Sequence, residues 1–518
     1  MLVVINLYIF IILEKKHSMT KKVLVWLDGP YGYLHLGISK HLSNLDDFEY
    51  YGMISYERDL EFYKKQNIIK FKELHYYPQK YFESSSNPNK EYLSKIENEL
   101  GINFWLIASS ERTFLQERSF FHSFTSDEIL SIMESLTKFF YDFLNRVKPD
   151  FILMQKTGES LANFLLYNIA KSLKIKTLML VETRLVDSFV ISDDLLISNL
   201  KNTFKKIKNS PSSTINEYGP EFIEKRALSH TVKSFESAEF GKSSINEKIS
   251  RYSKRFNTDP EPIYYNWGKT KSKMLKWRLH TSSELRHREN FLDKNSLKYI
   301  PNERFVYFPL PVQPESQSNA WAPFHVNTFS IIENISKSIP ITHLLFVKEH
   351  PGQKSKLWRS TEFYEKILAL PNVRLINPIV NNFKMISKSE LVLLINSSSG
   401  LESLFFKKPV IVFGDVFYDV TSMVTKVQKI EELPKLIKNS LNSFSFSPDE
   451  LSFLIESITK NQIIVPYWEM MKEFVVVTSL STHGKTKKLN NEFESLLKKY
   501  DQSFFIMASA YQKFLNQL

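Results

Sequence analysis

The chain has 518 residues, enough for two or three domains, and a hydrophobic content of 43% that supports a sizeable core. It has no cysteine, which excludes disulfides, thiolate chemistry and cysteine-built zinc sites and fits a reducing cytosol. The formal charge of +12 points to an anionic partner such as a nucleotide sugar, a charged polymer or an acidic lipid surface; no recognisable nucleic-acid-binding motif accompanies it, so nucleic acid is not an expected partner.

Residues 1–18 hold an apolar run from Leu2 to Leu13 that is too short to span a bilayer. Its positive charge follows the run instead of preceding it, unlike a secretory signal. The expectation is a dispensable extension ahead of Met19. Lys22-Val23-Leu24-Val25-Trp26-Leu27 then predicts a first strand. A glycine-bearing loop follows, from Asp28-Gly29-Pro30 through His35 to Gly37, with a helix from about Ile38. This is a Rossmann-like opening without the Gly-x-Gly-x-x-Gly fingerprint. Asp28 at the strand tip either accepts a proton from a substrate hydroxyl or closes an Asp-Gly turn. Residues 45–125 are charged and aromatic, with a polar loop at 84–89. Glu111, in Ser109-Ser110-Glu111-Arg112, is a second candidate base.

Helical spacing covers 126–147, a strand 149–155, a helix 159–172 and a strand 177–181. That last strand ends at Glu182-Thr183-Arg184, where Arg184 either meets an anionic group or joins a surface ion pair. These elements close an N-terminal Rossmann-like domain over 19–195. Residues 196–300 are polar and basic and read as a helical insertion and linker. Within them Lys269, Lys271, Lys273, Lys276, Arg278, Arg286 and Arg288 interleave with Trp267, Met274, Leu275, Trp277 and Leu279. The pattern is either an interfacial helix on an anionic membrane or a solvated helix with its aromatics turned inward.

Between residues 301 and 440 three apolar runs each end in polar residues. Phe305-Val306-Tyr307-Phe308 leads to Gln313-Pro314-Glu315, Leu344-Leu345-Phe346-Val347 to Lys348-Glu349-His350-Pro351, and Leu391-Val392-Leu393-Leu394-Ile395 to Asn396-Ser397-Ser398-Ser399-Gly400. Runs without alternation fit parallel strands covered on both faces, whose ligands bind at the carboxyl edge. The Ser397–Gly400 turn precedes a helix, so it either binds an anion through N–H groups or serves as a plain N-cap. Glu402, in the first turn, is in reach of a ribose hydroxyl pair. Together the three ends read as a nucleotide-sugar site. Residues 441–518 read as helices, and no internal repeat or membrane-spanning run is apparent.

Gln313-Pro314, His350-Pro351 and the serine-rich turn resemble, in that order, the capsular polysaccharide biosynthesis family. That family is related to the Kdo transferases of capsule assembly and more loosely to bacterial sialyltransferases with His-Pro and Ser-Ser motifs. Ser399-Gly400-Leu401-Glu402 also resembles the Ser-Gly-Gly…Glu element of UDP-N-acetylglucosamine 2-epimerases. The resemblance spans roughly residues 300–425 and elsewhere holds only in outline. It departs at Leu27, which stands where some sialyltransferases carry an acidic residue. It implies an α/β, GT-B-like architecture of two Rossmann-like domains facing across a cleft, with 466–477 crossing back to the first domain.

By the same resemblance the donor nucleotide lies against the C-terminal domain. Lys348, His350 and residues 397–400 are then near phosphate, Gln313 and Glu315 near the donor sugar, and Tyr418 near the base. Asp28, His35, Glu111, Glu182 and Arg184 fall on the acceptor side, with Asp28 and His350 as the catalytic pair. No metal and no cofactor are expected beyond the nucleotide-sugar co-substrate. The implied activity is transfer from a CMP- or UDP-linked sugar to a glycan or glycolipid, by a cytoplasmic protein, peripheral at the inner membrane face in one reading. Alternatives are a nucleotide-sugar epimerase or hydrolase of the same fold and a non-catalytic capsule assembly or export partner.

Overall fold

A computed structural model of the chain describes residues 20–210, 264 and 267–517, apart from 82, 84–86, 115–119, 159, 186–187, 357 and 482–485. The expected extension 1–18, residues 211–263 of the insertion and the expected helix start at 159 lie outside the described residues.

The N-terminal sheet is built from β1 (Lys21–Leu27), β2 (Phe48–Ile54), β3 (Phe71–Tyr76), β4 (Phe151–Leu153), β5 (Lys176–Glu182) and β6 (Ser188–Ser192). Its order is β3-β2-β1-β4-β5-β6, parallel except for β6. Val23 to Leu27 are entirely buried, as helices cover both faces and leave no side for alternation. Trp26 stacks on Tyr77 at 4.8 Å on one face, and Val25 and Leu27 join the cluster on the other. The helix after β1 starts at Gly29, not Ile38, and takes in the loop expected there. Pro30, in its first turn, has no N–H to satisfy and a backbone angle already suited to a helix. β2 and β3 were not legible as strands. Glu49 and Gly52 interrupt β2, and β3 is an edge strand with a polar sequence.

The C-terminal sheet holds β7 (Phe305–Pro309), β8 (Leu344–Lys348), β9 (Val373–Ile376), β10 (Leu391–Leu394), β11 (Val410–Val412) and β12 (Val424–Lys426). All are parallel, in the order β9-β8-β7-β10-β11-β12. Both sheets therefore reverse direction of growth beside their first strand. This doubly wound topology opens a crevice between β1 and β4 in one domain and between β7 and β10 in the other. The protein is an α/β molecule of two Rossmann-like domains in a GT-B-like arrangement.

The chain then returns to its first domain. β13 (Ile463–Ile464) pairs antiparallel with β6, and the helices Tyr467–Ser481 and Asp501–Asn516 pack on Gly29–Leu42. Met470, Phe474, Phe504 and Met507 are buried with Tyr33 and Leu34 in that contact. On the other side the helix Lys271–Asn295 braces the two domains. Near its start Trp277 stacks on Phe120 at 4.6 Å and Lys273 Nζ donates to Phe121 O at 3.0 Å. Near its end buried Arg288 donates to the carbonyls of Gln353 (2.8 Å) and Lys354 (3.1 Å), just past His350-Pro351.

Candidate functional site

At the first switch point Asp28 follows β1 and Gln155 and Lys156 follow β4. Gln155 Nε2 donates to Asp28 Oδ2 across it, at 2.8 Å. Asp28 stands at the N-cap position of its helix, yet its carboxylate makes no capping bond, so helix capping is not what the side chain does. Burial, reinforced by the like charge of Asp59, pushes its pKa up to about 6. Lys156 lies with Nζ 3.5 Å from the centroid of the Trp321 ring, and burial lowers its pKa to about 7. Trp321 belongs to the other domain, and its indole N–H donates to Thr157 O at 3.1 Å. Gly158, at φ +104°, lets the loop meet the second domain; a Cβ there would lie 2.6 Å from that of Ala320. The carboxyl edges of the two sheets thus touch along residues 156–158 and 316–321. Glu182 at the tip of β5 pairs with Arg184 at 2.6 Å, and the Arg184 charge acts on His350 and Glu402 opposite.

Across the cleft, Lys348 ends β8 with 4% exposure and no ion pair or hydrogen bond among the described residues. Burial lowers its pKa to about 8. His350 Nδ1 accepts the Gly352 N–H at 3.0 Å, which leaves the proton of the neutral ring on Nε2. Burial and the nearby cations Lys348, Arg359, Arg184 and Lys356 push its pKa down to about 3. At neutral pH His350 is thus a neutral N–H donor, not an acid.

Gln313 was expected near the donor sugar, but it is fully buried and braces the loops behind the site. Its backbone N–H donates to Gln353 Oε1 (2.9 Å) and its Nε2 to Val326 O (2.9 Å), while its Oε1 accepts from Arg359 (2.8 Å). Arg359 also holds both oxygens of Glu349 (2.8 and 2.9 Å) and Pro311 O (2.7 Å). One buried guanidinium therefore ties the Gln-Pro loop to the His-Pro loop. Glu315 N-caps Ser316–Asn319 and pairs with Lys356 at 2.6 Å.

The serine turn lies at the second switch point, before the helix Ser399–Phe405. Among the described residues the buried Ser397 hydroxyl has no hydrogen-bond partner. Glu402 has both oxygens engaged, by Ser398 Oγ (3.1 Å) and Asn382 Nδ2 (3.0 Å), and burial raises its pKa. Tyr418, expected beside the base, is instead behind the turn. It is 2% exposed and donates to Ser397 O at 2.6 Å, and a Cβ on Gly400 would come within 2.3 Å of its hydroxyl. Gly400 is thus required by Tyr418.

Two acceptor-side expectations also change. His35 is 2% exposed inside its helix, with Nδ1 2.8 Å from Trp26 O, and burial lowers its pKa to about 4. Glu111 accepts from the N–H groups of Leu161 (2.9 Å) and Thr113 (2.8 Å), which caps the helix Leu161–Ser172. Lys156, Trp321, Asn382 and Arg359 went unread in the sequence. Only Lys156 carried a signal, since it follows a strand end as Asp28 does.

Fold and site define a class: a GT-B-like protein whose two switch points face each other, with cations on both sides. Residues 224–435 match the family model described as capsule polysaccharide biosynthesis protein, the family that the Gln-Pro, His-Pro and serine elements resemble. A curated relative, Protein FixF of Sinorhizobium fredii, is 28% identical over 125 residues, which is 24% of this chain and 29% of that protein. Among solved structures, UDP-GlcNAc 2-epimerase from Methanocaldococcus jannaschii in complex with UDP-GlcNAc and UDP is 15% identical, covering 85% of this chain and 99% of its own, with a TM-score of 0.26. KpsC of Thermosulfurimonas dismutans, a beta Kdo 2,7 transferase, is 13% identical, covering 62% of this chain and 79% of its own, with a TM-score of 0.29. Superpositions this loose leave the architecture to be read from the chain's own strand order. Among the described residues no helix is long and apolar enough to cross a membrane.

Proposed function

We propose that the chain is a glycosyltransferase of capsular polysaccharide assembly that moves a sugar from a CMP- or UDP-linked donor to a glycan or glycolipid acceptor, with no required metal. The observation that carries this reading is Lys348, a buried cation that forms no ion pair among the described residues and has only the through-space charges of Glu349 and Glu402 near it, beside a histidine whose Nε2 makes no hydrogen bond among them. A buried unpaired charge is costly unless a ligand neutralises it. In the reaction the bond from the anomeric carbon to the phosphate oxygen breaks, and the acceptor oxygen bonds to that carbon. The acceptor proton passes to Asp28. The negative charge left on the phosphate meets Lys348 and His350 Nε2–H, which stabilise it without proton transfer.

The test is nucleotide binding measured by calorimetry with UDP and CMP. Lys348→Met should weaken the preferred nucleotide roughly 10- to 100-fold, the worth of one charged hydrogen bond to phosphate, while the apo protein stays folded. Unchanged affinity would remove the donor site from this edge. Sugar release that needs no acceptor would replace the transferase by an epimerase or hydrolase.

An anionic membrane surface is the proposed setting for a glycolipid acceptor. On the helix Lys271–Asn295 Trp277 is turned inward, as in the solvated reading, but Leu275 (37% exposed) and Leu279 (66%) face out with exposed Lys276 and Arg286 around them. The paired change Lys276→Glu and Arg286→Glu should lower binding to vesicles containing anionic lipid by roughly tenfold or more, at about 1 kcal/mol per basic residue lost. Equal sedimentation of parent and variant with such vesicles would discard this surface.

A further inference from the structure

We propose that Lys156 is an N-terminal-domain ligand for the nucleotide's phosphate, so that the donor is gripped from both sides of the cleft; this rests on the donor-site reading above. Lys156 lies in the loop after β4, next to Gln155, at the switch point beside Asp28. Its Nζ sits 3.5 Å from the Trp321 ring centroid, and no carboxylate lies within 4 Å of it among the described residues. The ring face attracts the cation but supplies no counter-charge. Glu182, the nearby acid, is already paired with Arg184, whose own charge repels Lys156. The backbone beside Lys156 is fixed, because Trp321 bonds Thr157 O and Gly158 abuts Ala320. Lys156 is therefore a preset amine, ready to carry charge once an anion binds, unlike a freely swinging surface arm.

Lys348, on the opposite domain, is the matching case: buried and without an ion pair among the described residues, although the charges of Glu349 and Glu402 act on it. Arg184 lies between them electrostatically, acting on Lys156 on one side and on His350 and Glu402 on the other. Unpaired cations drawn from two domains toward one opening are stabilised by a ligand with more than one negative charge. A nucleoside phosphate has that chemistry. Its binding would raise the proton affinity of Lys156, which burial has lowered, and so take up protons from solution near pH 8.

The experiment is calorimetry on the full chain with UDP and CMP, in buffers of different ionisation enthalpy at pH 8. Lys156→Met keeps the apolar stem on Trp321 and should weaken the preferred nucleotide at least tenfold and reduce the proton uptake on binding. Lys156→Arg should stay within about threefold of the parent, because the charge returns. Should Lys156→Met not fold, Lys156→Gln is judged by the same two readouts. If Lys348→Met weakens binding while the Lys156 variants keep both affinity and proton uptake, this proposal falls and the donor site stands. If neither lysine matters, or the parent binds neither nucleotide, both fall together.

Discussion

Replacing Asp28 by Asn is expected to lower sugar transfer by roughly a hundredfold or more, the usual contribution of a general base, with nucleotide affinity nearly unchanged. The substitution keeps size and keeps an oxygen to accept the Gln155 bond, so the loop after β1 should not move. What it removes is basicity. With its pKa pushed up to about 6, the carboxylate is mostly ionised at neutral pH and still basic enough to accept an acceptor proton in the transition state. A base must be ionised to work, so activity in the parent should fall as pH drops through about 6, about tenfold per unit below it. The Asn variant should lack that acidic limb. His350 contributes no limb near neutrality, because its pKa is held near 3 and it remains a neutral donor throughout. The measurement is the pH profile of kcat/KM for both proteins, alongside nucleotide binding. Full transfer by Asp28→Asn would reduce Asp28 to a structural residue and pass the role to Glu182. Glu111 is no longer a contender, since both of its oxygens cap backbone N–H groups.

How much of this was visible in the residues depends on what each signal reports. Buried parallel strands such as β1, β7, β8 and β10 are continuous apolar runs, because helices on both faces remove any alternation, and these were legible. Edge strands such as β3 and β12 carry polar residues, and β12 is only three residues long, so less pattern accumulates. Strand ends locate the cleft, but not the direction in which a polar tip points. Asp28 and Gln313 both follow apolar strands. One faces the switch point, and the other turns inward to brace two loops. Tyr418 and His35 misled for the same reason, since a polar group on an aromatic ring serves a buried backbone carbonyl as well as a ligand. Arg359 had no local signature. Its partners at Glu349, Pro311 and Gln313 are brought to it by the crossing of separate βα loops, a fact of tertiary structure alone.

Arg359 should nonetheless be among the most sensitive positions in the chain. Arg359 and Glu349 are each 2% exposed, and the guanidinium satisfies both carboxylate oxygens, the Pro311 carbonyl and the Gln313 amide oxygen. Tyr364 adds a hydroxyl to the same carboxylate. Arg359→Leu removes every one of the guanidinium's bonds and leaves Glu349 charged and buried, so the expected cost is about 3–5 kcal/mol, the range for breaking one side of a buried pair. Because this chain has two domains, the cost should be read from the unfolding step of the C-terminal domain and not from a single global transition. The double change Arg359→Leu with Glu349→Leu tests the cause. If an orphaned charge dominates the loss, the double variant should recover part of the stability, since no charge is left buried alone, while the Tyr364 hydroxyl and the His350 backbone N–H lose their acceptor. Nucleotide affinity should not recover with it. Lys348 and His350 flank Glu349 in sequence, and in either variant the Gln-Pro and His-Pro loops lose the Arg359 tie and keep the Gln313–Gln353 bonds. A single variant within about 1 kcal/mol of the parent would mean that water or neighbouring donors replace the guanidinium. A double variant that is stable and binds nucleotide as the parent does would show the brace to be dispensable for the site.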